Sequence, residues 1–532
     1  MNNRGSPFKR WLATGIAISV LSLAGGCAVS PERRAQFAPA AVSVKTGEGL
    51  VALQVSGNRV RVTDKFLKWQ QLVVRNVASN ETHTLFDRAD TSAAHSLFLG
   101  SLPAGTYELI EVNGRSFASE TRGWASVAQA FPSFTVADGR VTDLGTAVYI
   151  LAHGGGGTRG YRWGHAESPL ERSAILRQLE PTLAARLGAQ PVLGWNDANL
   201  LQMRRLDLAA LRSSTMRAHS PTRLSDGSIL FGEAFGQIAV RTPAAQWQVL
   251  QTPLTLPIRT LHVDGKTLYA GSDDGILLAS SLAGTNWNPI ALPVADASVI
   301  HIGPLPDTEE LLVVLQTRDR FVGLSTDRAT PGTWREHFSY PRYLSMGGDF
   351  DANGAVRLAG ERLLFASFGE DSATELLAYD RVGRKWSAVK TEGGASFDKW
   401  AVLPGGQIGS FRGIPMTGMY FTMSQDGGAS WERRGDLNWA TGPLLFVSDT
   451  VGYVMRMDKL ETMGRKEVEM SLWRTDDAGR TWKSLGRTPA SAIDGKLLAI
   501  GNESQIGYVS GEGKFYASED GGQTWKLERS AP

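Results

Sequence analysis

The sequence predicts a mainly β protein in which a ring of small four-stranded sheets follows a separate β domain. Three observations predict it. Tryptophans recur at positions 247, 287, 334, 386, 431, 482 and 525, at intervals of 40 to 52 residues, close to the length of one four-stranded propeller blade. Apolar runs of strand length, such as "KTLYAGSDDGILLAS" and "LLFVSDTVGYVMRMD", are broken by Gly, Asp and Asn turns. With 59 glycines and 15 tryptophans the chain suits tight turns, and no long helical pattern follows residue 215. The expected architecture is a seven-bladed β-propeller over 215–532, preceded by a small β-sandwich and a short helical connector.

The N-terminal segment comes first. Arg4, Lys9 and Arg10 precede the apolar run from Trp11 to Leu23, and Ala24, Gly25 and Gly26 lead to Cys27. The run has signal-peptide length and is short for a bilayer span. This stretch resembles the lipobox of bacterial lipoprotein signals, with Ala24 where that family usually has Leu. The resemblance implies cleavage after residue 26 (signal peptide 1–26) and acylation of Cys27. Ala28 behind it implies sorting to the outer membrane, facing the periplasm. An uncleaved anchor and an ordinary cleaved signal peptide are the alternatives. Cys27 is the single cysteine of the chain, so no intrachain disulfide staples the fold. Three of the 55 Lys and Arg residues lie in the leader with no acid, which leaves 52 basic against 53 acidic residues. A near-neutral chain does not supply the basic stripe that nucleic acid requires.

Residues 27–40 read as a polar tether. Residues 41–152 alternate with period two through "GLVALQVSG", "WQQLVVRNV" and "SLFLGSLPAGTYELIEVNG", the pattern of a small sandwich. "LPAGTYEL" and "FTVADGRVTDLGTAVYI" resemble prealbumin-like modules, which implies a spacer or adhesion unit. Residues 153–214 read as a Gly-rich inter-domain loop, "HGGGGTRGYRWG", and a helical connector. In the connector Ser168, Pro169 and Glu171 form a capping box.

Three stretches in the last third share Ser/Thr-x-Asp-x-Gly-x-Thr/Ser-Trp: "SQDGGASW", "TDDAGRTW" and "SEDGGQTW". Their fixed residues are Ser424, Asp426, Gly428 and Trp431; Thr475, Asp477, Gly479 and Trp482; and Ser518, Asp520, Gly522 and Trp525. The aspartate is expected to accept backbone N–H groups in its own turn. The glycine takes a backbone conformation closed to side chains, and the tryptophan packs beneath the hairpin. These stretches resemble the Asp-box (BNR) repeat of sialidases, sortilin-type receptors, xyloglucanases and a photosystem II assembly factor, all propellers. The resemblance covers roughly 222–528 and implies a structural role for the repeats.

The chemistry-bearing patterns are sparse. No two of the eight histidines stand at zinc-ligand spacing, and no P-loop or Gly-x-Ser-x-Gly elbow is present. No metal or cofactor is expected. The arginine motif of sialidases is matched only by "FRGIP" at 411–415, with Gly413 inserted and in the fifth repeat. Inter-blade stretches rich in aromatic, Arg and Met residues supply candidate partner contacts at Arg342, Tyr343, Arg412 and Met416. The expected function is a membrane-anchored, non-catalytic envelope lipoprotein whose propeller binds protein partners. The alternative is a glycan-binding protein or a glycosidase of the sialidase kind.

Overall fold

The computed structural model describes residues 42–530 apart from 59–66, 89–94, 117–121, 154–158, 167–192 (save 182 and 185), 198–220, 295–296, 318, 343–354, 369–373, 390–398, 415–417, 441, 460–468, 490–494 and 511–513. Cys27, the tether, Tyr343, Met416 and nearly all of the expected helical connector lie outside the described residues.

The N-terminal region is one sheet of nine strands: β1 (Glu48–Asn58), β2 (Leu67–Asn76), β3 (Thr82–Asp87), β4 (His95–Pro103), β5 (Gly105–Ser116), β6 (Arg122–Ser126), β7 (Phe134–Val136), β8 (Val141–His153) and β9 (Arg159–Ala166). Its order is β6-β5-β2-β3-β4-β1-β8-β9, with β7 paired to β5. In place of two facing layers, a single sheet curls over its own core. Register shifts in β2 at Trp69/Gln71 and Val73/Val74 are the local irregularities that bend a sheet. The concave side buries Val51, Leu53, Val55, Leu72, Phe98, Tyr107 and Phe134 in one cluster. Of the Gly-rich stretch expected as a loop, Arg159 to Gly164 is strand, because β8 pairs β9 from Thr146↔Ala166 to His153↔Arg159; residues 154–158 lie outside the described residues.

Seven four-stranded antiparallel sheets follow, at 222–251, 258–290, 298–341, 355–389, 399–436, 444–487 and 496–529. These are the seven blades the sequence predicts. Each of the seven recurring tryptophans falls within two residues of the start of its blade's fourth strand. Burial falls from the inside outwards. The second strand of blade 3, "ELLVVLQ", is buried from Leu311 to Leu315, since both faces meet neighbouring blades. The fourth strand, "REHFSYP", keeps only Phe338 buried. Continuous apolar runs therefore mark middle strands, and alternation marks outer ones.

The three repeated stretches fold as their residues demand. In blade 5 the Ser424 hydroxyl donates to Asp426 (2.8 Å) and accepts from the Gly428 N–H (2.8 Å). Asp426 also receives the N–H and hydroxyl of Ser430 at 2.9 and 2.6 Å. Blades 6 and 7 repeat the set with Thr475, Asp477 and Thr481, and with Ser518, Asp520 and Thr524. The glycines do more than turn the chain. Gly428, Gly479 and Gly522 have φ of +99°, +83° and +92°, and a Cβ there would lie 2.5, 2.1 and 2.2 Å from Leu376, Phe421 and Leu472 of the preceding blade. Each glycine thus sets the spacing between two blades.

The ring closes without strand exchange, because blade 1 and blade 7 are each built from four consecutive strands. Side chains join them. Phe231 and Trp247 of blade 1 meet Phe515 of blade 7 at centroid distances of 5.7 and 5.0 Å. Arg241 pairs with Glu528 at 2.7 Å, both nearly buried, and Arg529 pairs with Glu233 at 3.1 Å. The first repeat, which retains only its tryptophan, is a complete blade.

Candidate binding face

Antiparallel connectivity sorts the propeller's connections onto two ends. Turns between first and second strands, and between third and fourth strands, share one end with the repeated stretches. Connections between second and third strands, and those between blades, share the other. At the repeat end no connection exceeds seven residues. At the opposite end the chain runs 13 residues over 342–354 and nine each over 390–398 and 460–468. Long connections on a rigid scaffold are where binding residues concentrate. Topology assigns Arg342 and Arg412 to this loop end; Tyr343 and Met416 lie outside the described residues.

The described members of that set differ. Arg342 is 8% exposed; its side chain donates to the Thr317 carbonyl at 3.3 Å, and its N–H to the Asp319 carbonyl at 2.8 Å. It ties the loop after blade 3's second strand to the exit of its fourth. Arg412 is partly exposed, pairs across the hairpin with Tyr420, and lies 4.3 Å over the Trp431 ring. Burial pushes its guanidinium pKa below the ordinary value.

Sequence reasoning missed the loop of blade 1. Glu233 is 1% exposed, and burial raises its carboxyl to about 7 against the opposing pull of Arg529. Phe235 follows with φ +52°, a conformation costly for a bulky side chain. It is fully buried in a cluster with Ala234, Val148 of β8 and Ala166 of β9. The N-terminal sheet therefore sits on the loop end at blade 1. Next to it in blade 2, Asp273 is fully buried, bonded to Arg259 at 3.0 Å and to the Ser298 hydroxyl. The sequence signal for this pair is the "SDDG" turn, which spacing alone does not distinguish from any Asp-rich turn.

The acids of the repeated turns are ionised structural groups. At Asp426 partial burial opposes ionisation, and the bonds from Ser430 and Ser424 overcome it, holding the carboxyl at about 2. The Thr524 hydroxyl and N–H hold Asp520 at about 2. Such values suit permanent acceptors and not proton donors. Among the described residues no group of three or more His, Cys, Asp and Glu side chains could hold a metal ion, and no helix is long and apolar enough to cross a membrane.

No protein-family model and no curated protein matches the chain. Among solved structures it is similar to YCF48 bound to a D1 peptide, at 17% identity over 53% of this chain and 84% of that one, with a TM-score of 0.37. It is also similar to YCF48 from Cyanidioschyzon merolae, at 12% identity over 58% and 94% of the two chains with a TM-score of 0.37. A polysaccharide lyase, an ulvan lyase, shares 10% identity over 58% and 95% with a TM-score of 0.38.

Proposed function

We propose that this chain is a lipid-anchored envelope protein that binds protein partners through the loop end of its propeller and performs no catalysis itself. The observation that carries the reading is the asymmetry of the two ends. The repeat end is closed by short turns, and in three of them the hydroxyls and the carboxylate bond one another. The loop end carries the long connections, Arg412, and the seated N-terminal sheet. Two of its buried acids are spent on structure, Asp273 on Arg259 and Ser298, and Glu233 on Arg529. A glycosidase needs one carboxyl group with a raised pKa in an open groove. Glu233, whose carboxyl burial raises to about 7, is 1% exposed and paired with Arg529, so it faces no open groove. Acylation at Cys27 would hold the chain at a membrane, in the outer membrane's periplasmic leaflet on the lipobox reading.

The test is a cross-linked pull-down of the full lipidated protein from membranes in mild detergent, read by mass spectrometry. The reading predicts a protein recovered in near-stoichiometric amount. Recovery of glycan alone, or turnover of an envelope polysaccharide, would overturn it.

A further inference from the structure

Among the described residues two aromatic side chains are exposed, Trp124 at 69% and Phe86 at 46%. Strand register places both in one row of the N-terminal sheet. Trp124 of β6 stands opposite Asn113 of β5, Asn113 opposite Gln71 of β2, and Gln71 opposite Phe86 of β3. Residues directly opposite one another project to the same face. The two rings therefore share the outer face of the sheet, about 14 Å apart at three strand spacings. Their row's chain neighbours Ala125, Val112, Leu72 and Leu85 point the other way, into the core.

The row continues into covered ground. Phe86 stands opposite Leu99 of β4, and Leu99 opposite Ala52 of β1. Leu99 and Ala52 belong to a buried cluster with Leu50, Leu97 and Val141, against which Val42 and Val44 pack. Further along the same face, Val148 and Ala166 meet Ala234 and Phe235 of the propeller. The outer face thus has three parts. One is seated on the propeller, one lies under the chain that leads in from the N-terminal side, and a bare one bears Phe86 and Trp124.

We infer that the bare part is a bilayer-docking surface, on which Trp124 and Phe86 insert into the headgroup region of a phospholipid membrane. The inference rests on the lipid-anchor reading. Fifteen residue steps separate Cys27 from Val42, a reach of at most about 50 Å when fully extended. Val42 and Val44 hold the incoming chain beside Leu99, one strand from Phe86, so an acyl group at Cys27 keeps the bilayer within reach of this face. Tethering raises the effective concentration of the membrane, and weak contacts then suffice. The chemistry between the rings fits a lipid surface better than a protein. A protein hot spot is a contiguous, desolvated centre, whereas Gln71 and Asn113 separate these rings. Single aromatic rings set among neutral polar groups are the side chains that settle at headgroup level. The charges on either side have partners: Arg75 pairs with Glu108, and Glu111 accepts from the Asn113 amide at 3.0 Å.

The test uses the full lipidated chain in vesicles of phosphatidylethanolamine and phosphatidylcholine that carry a nitroxide-labelled lipid. With Cys27 acylated, Ser126→Cys supplies the sole free thiol for a bimane probe, two residues from Trp124 on the same face. Leu527→Cys, on the fourth strand of blade 7 and 47% exposed, is the control. Nitroxide lipid should quench the probe at 126 several-fold more than the probe at 527. Trp124→Ser combined with Phe86→Ser should bring quenching at 126 down to the control level at an unchanged melting temperature. Should the double variant melt early, Trp124→Ser alone, at the more exposed position, carries the comparison. Quenching at 126 that the serine variants leave unchanged would overturn the proposal. An acylated chain whose probe at 126 is quenched no more than that at 527 would overturn it and leave the anchor reading standing. A signal at 126 that follows protein concentration and not nitroxide content would assign the face to a second copy and overturn it likewise. An intact mass without acyl groups on Cys27 would remove the anchor and the docking face together.

Discussion

At the scale of single residues, the repeated stretches convert one hydroxyl, one carboxylate and one glycine into a fixed turn and a fixed inter-blade distance. Gly522→Ala forces a Cβ against Leu472 at a φ closed to side chains, whereas Gly486, at φ +104°, has nothing within 4 Å. The alanine variant at 522 should therefore cost about 2–4 kcal/mol and that at 486 about 1 kcal/mol by denaturant melts. Equal losses would refute the spacer role. Acid titration separates two kinds of carboxyl. Asp426 and Asp520, depressed to about 2, contribute stability that is present above the ordinary carboxylate range and is lost as pH falls towards 2. Asp520→Asn should flatten that acid limb of the melting temperature against pH. Glu233 acts with opposite sign. Raised to about 7, it binds a proton when folded that the unfolded chain releases between about 4.5 and 7. Stability therefore falls as pH rises through that window, and Glu233→Gln should remove the slope.

At the scale of elements, what the sequence revealed depended on how local the deciding contact is. The turn of Ser518, Asp520, Gly522 and Trp525 is settled within eight residues, and its motif announced it. The seven tryptophans marked seven fourth strands even where, as at Trp247, the rest of the motif is gone. The N-terminal sheet was legible as β but not as one layer, because its central pairing joins β1 to β8 in parallel, as at Leu50↔Val141, and no local pattern encodes so distant a partner. The stretch from His153 to Gly164 misled through its glycines. They suggest a loop, but at Gly160 and Gly164 pairing with Ala152 and Val148 of β8 outweighs their low β propensity. Phe235 carried no signal at all, since its meaning lies in Val148 and Ala166 of another domain. Phe235→Asp should free the N-terminal sheet from the propeller. Calorimetry is expected to split one transition into two, and a single unchanged transition would show that the contact does not couple the units.

At the scale of the whole molecule, blades 1 and 7 are joined by side chains and not by a shared strand. The Arg241–Glu528 pair and the Phe231, Trp247 and Phe515 cluster close the ring. Removing one partner of a buried ion pair leaves an uncompensated charge, so Arg241→Ala should destabilise by about 3–5 kcal/mol in equilibrium unfolding, while the paired change to apolar residues at 241 and 528 should recover most of the loss. The closed ring leaves one end built of turns and the other of loops, and the central claim is that partners meet the loop end. Its most direct test places a photo-reactive amino acid at Arg412, on the loop end, and at Gln523, in a turn of the repeat end, in cells bearing the lipidated protein. The account predicts a discrete protein adduct from position 412 and none from 523. An adduct formed equally from both, or from 523 alone, would contradict it.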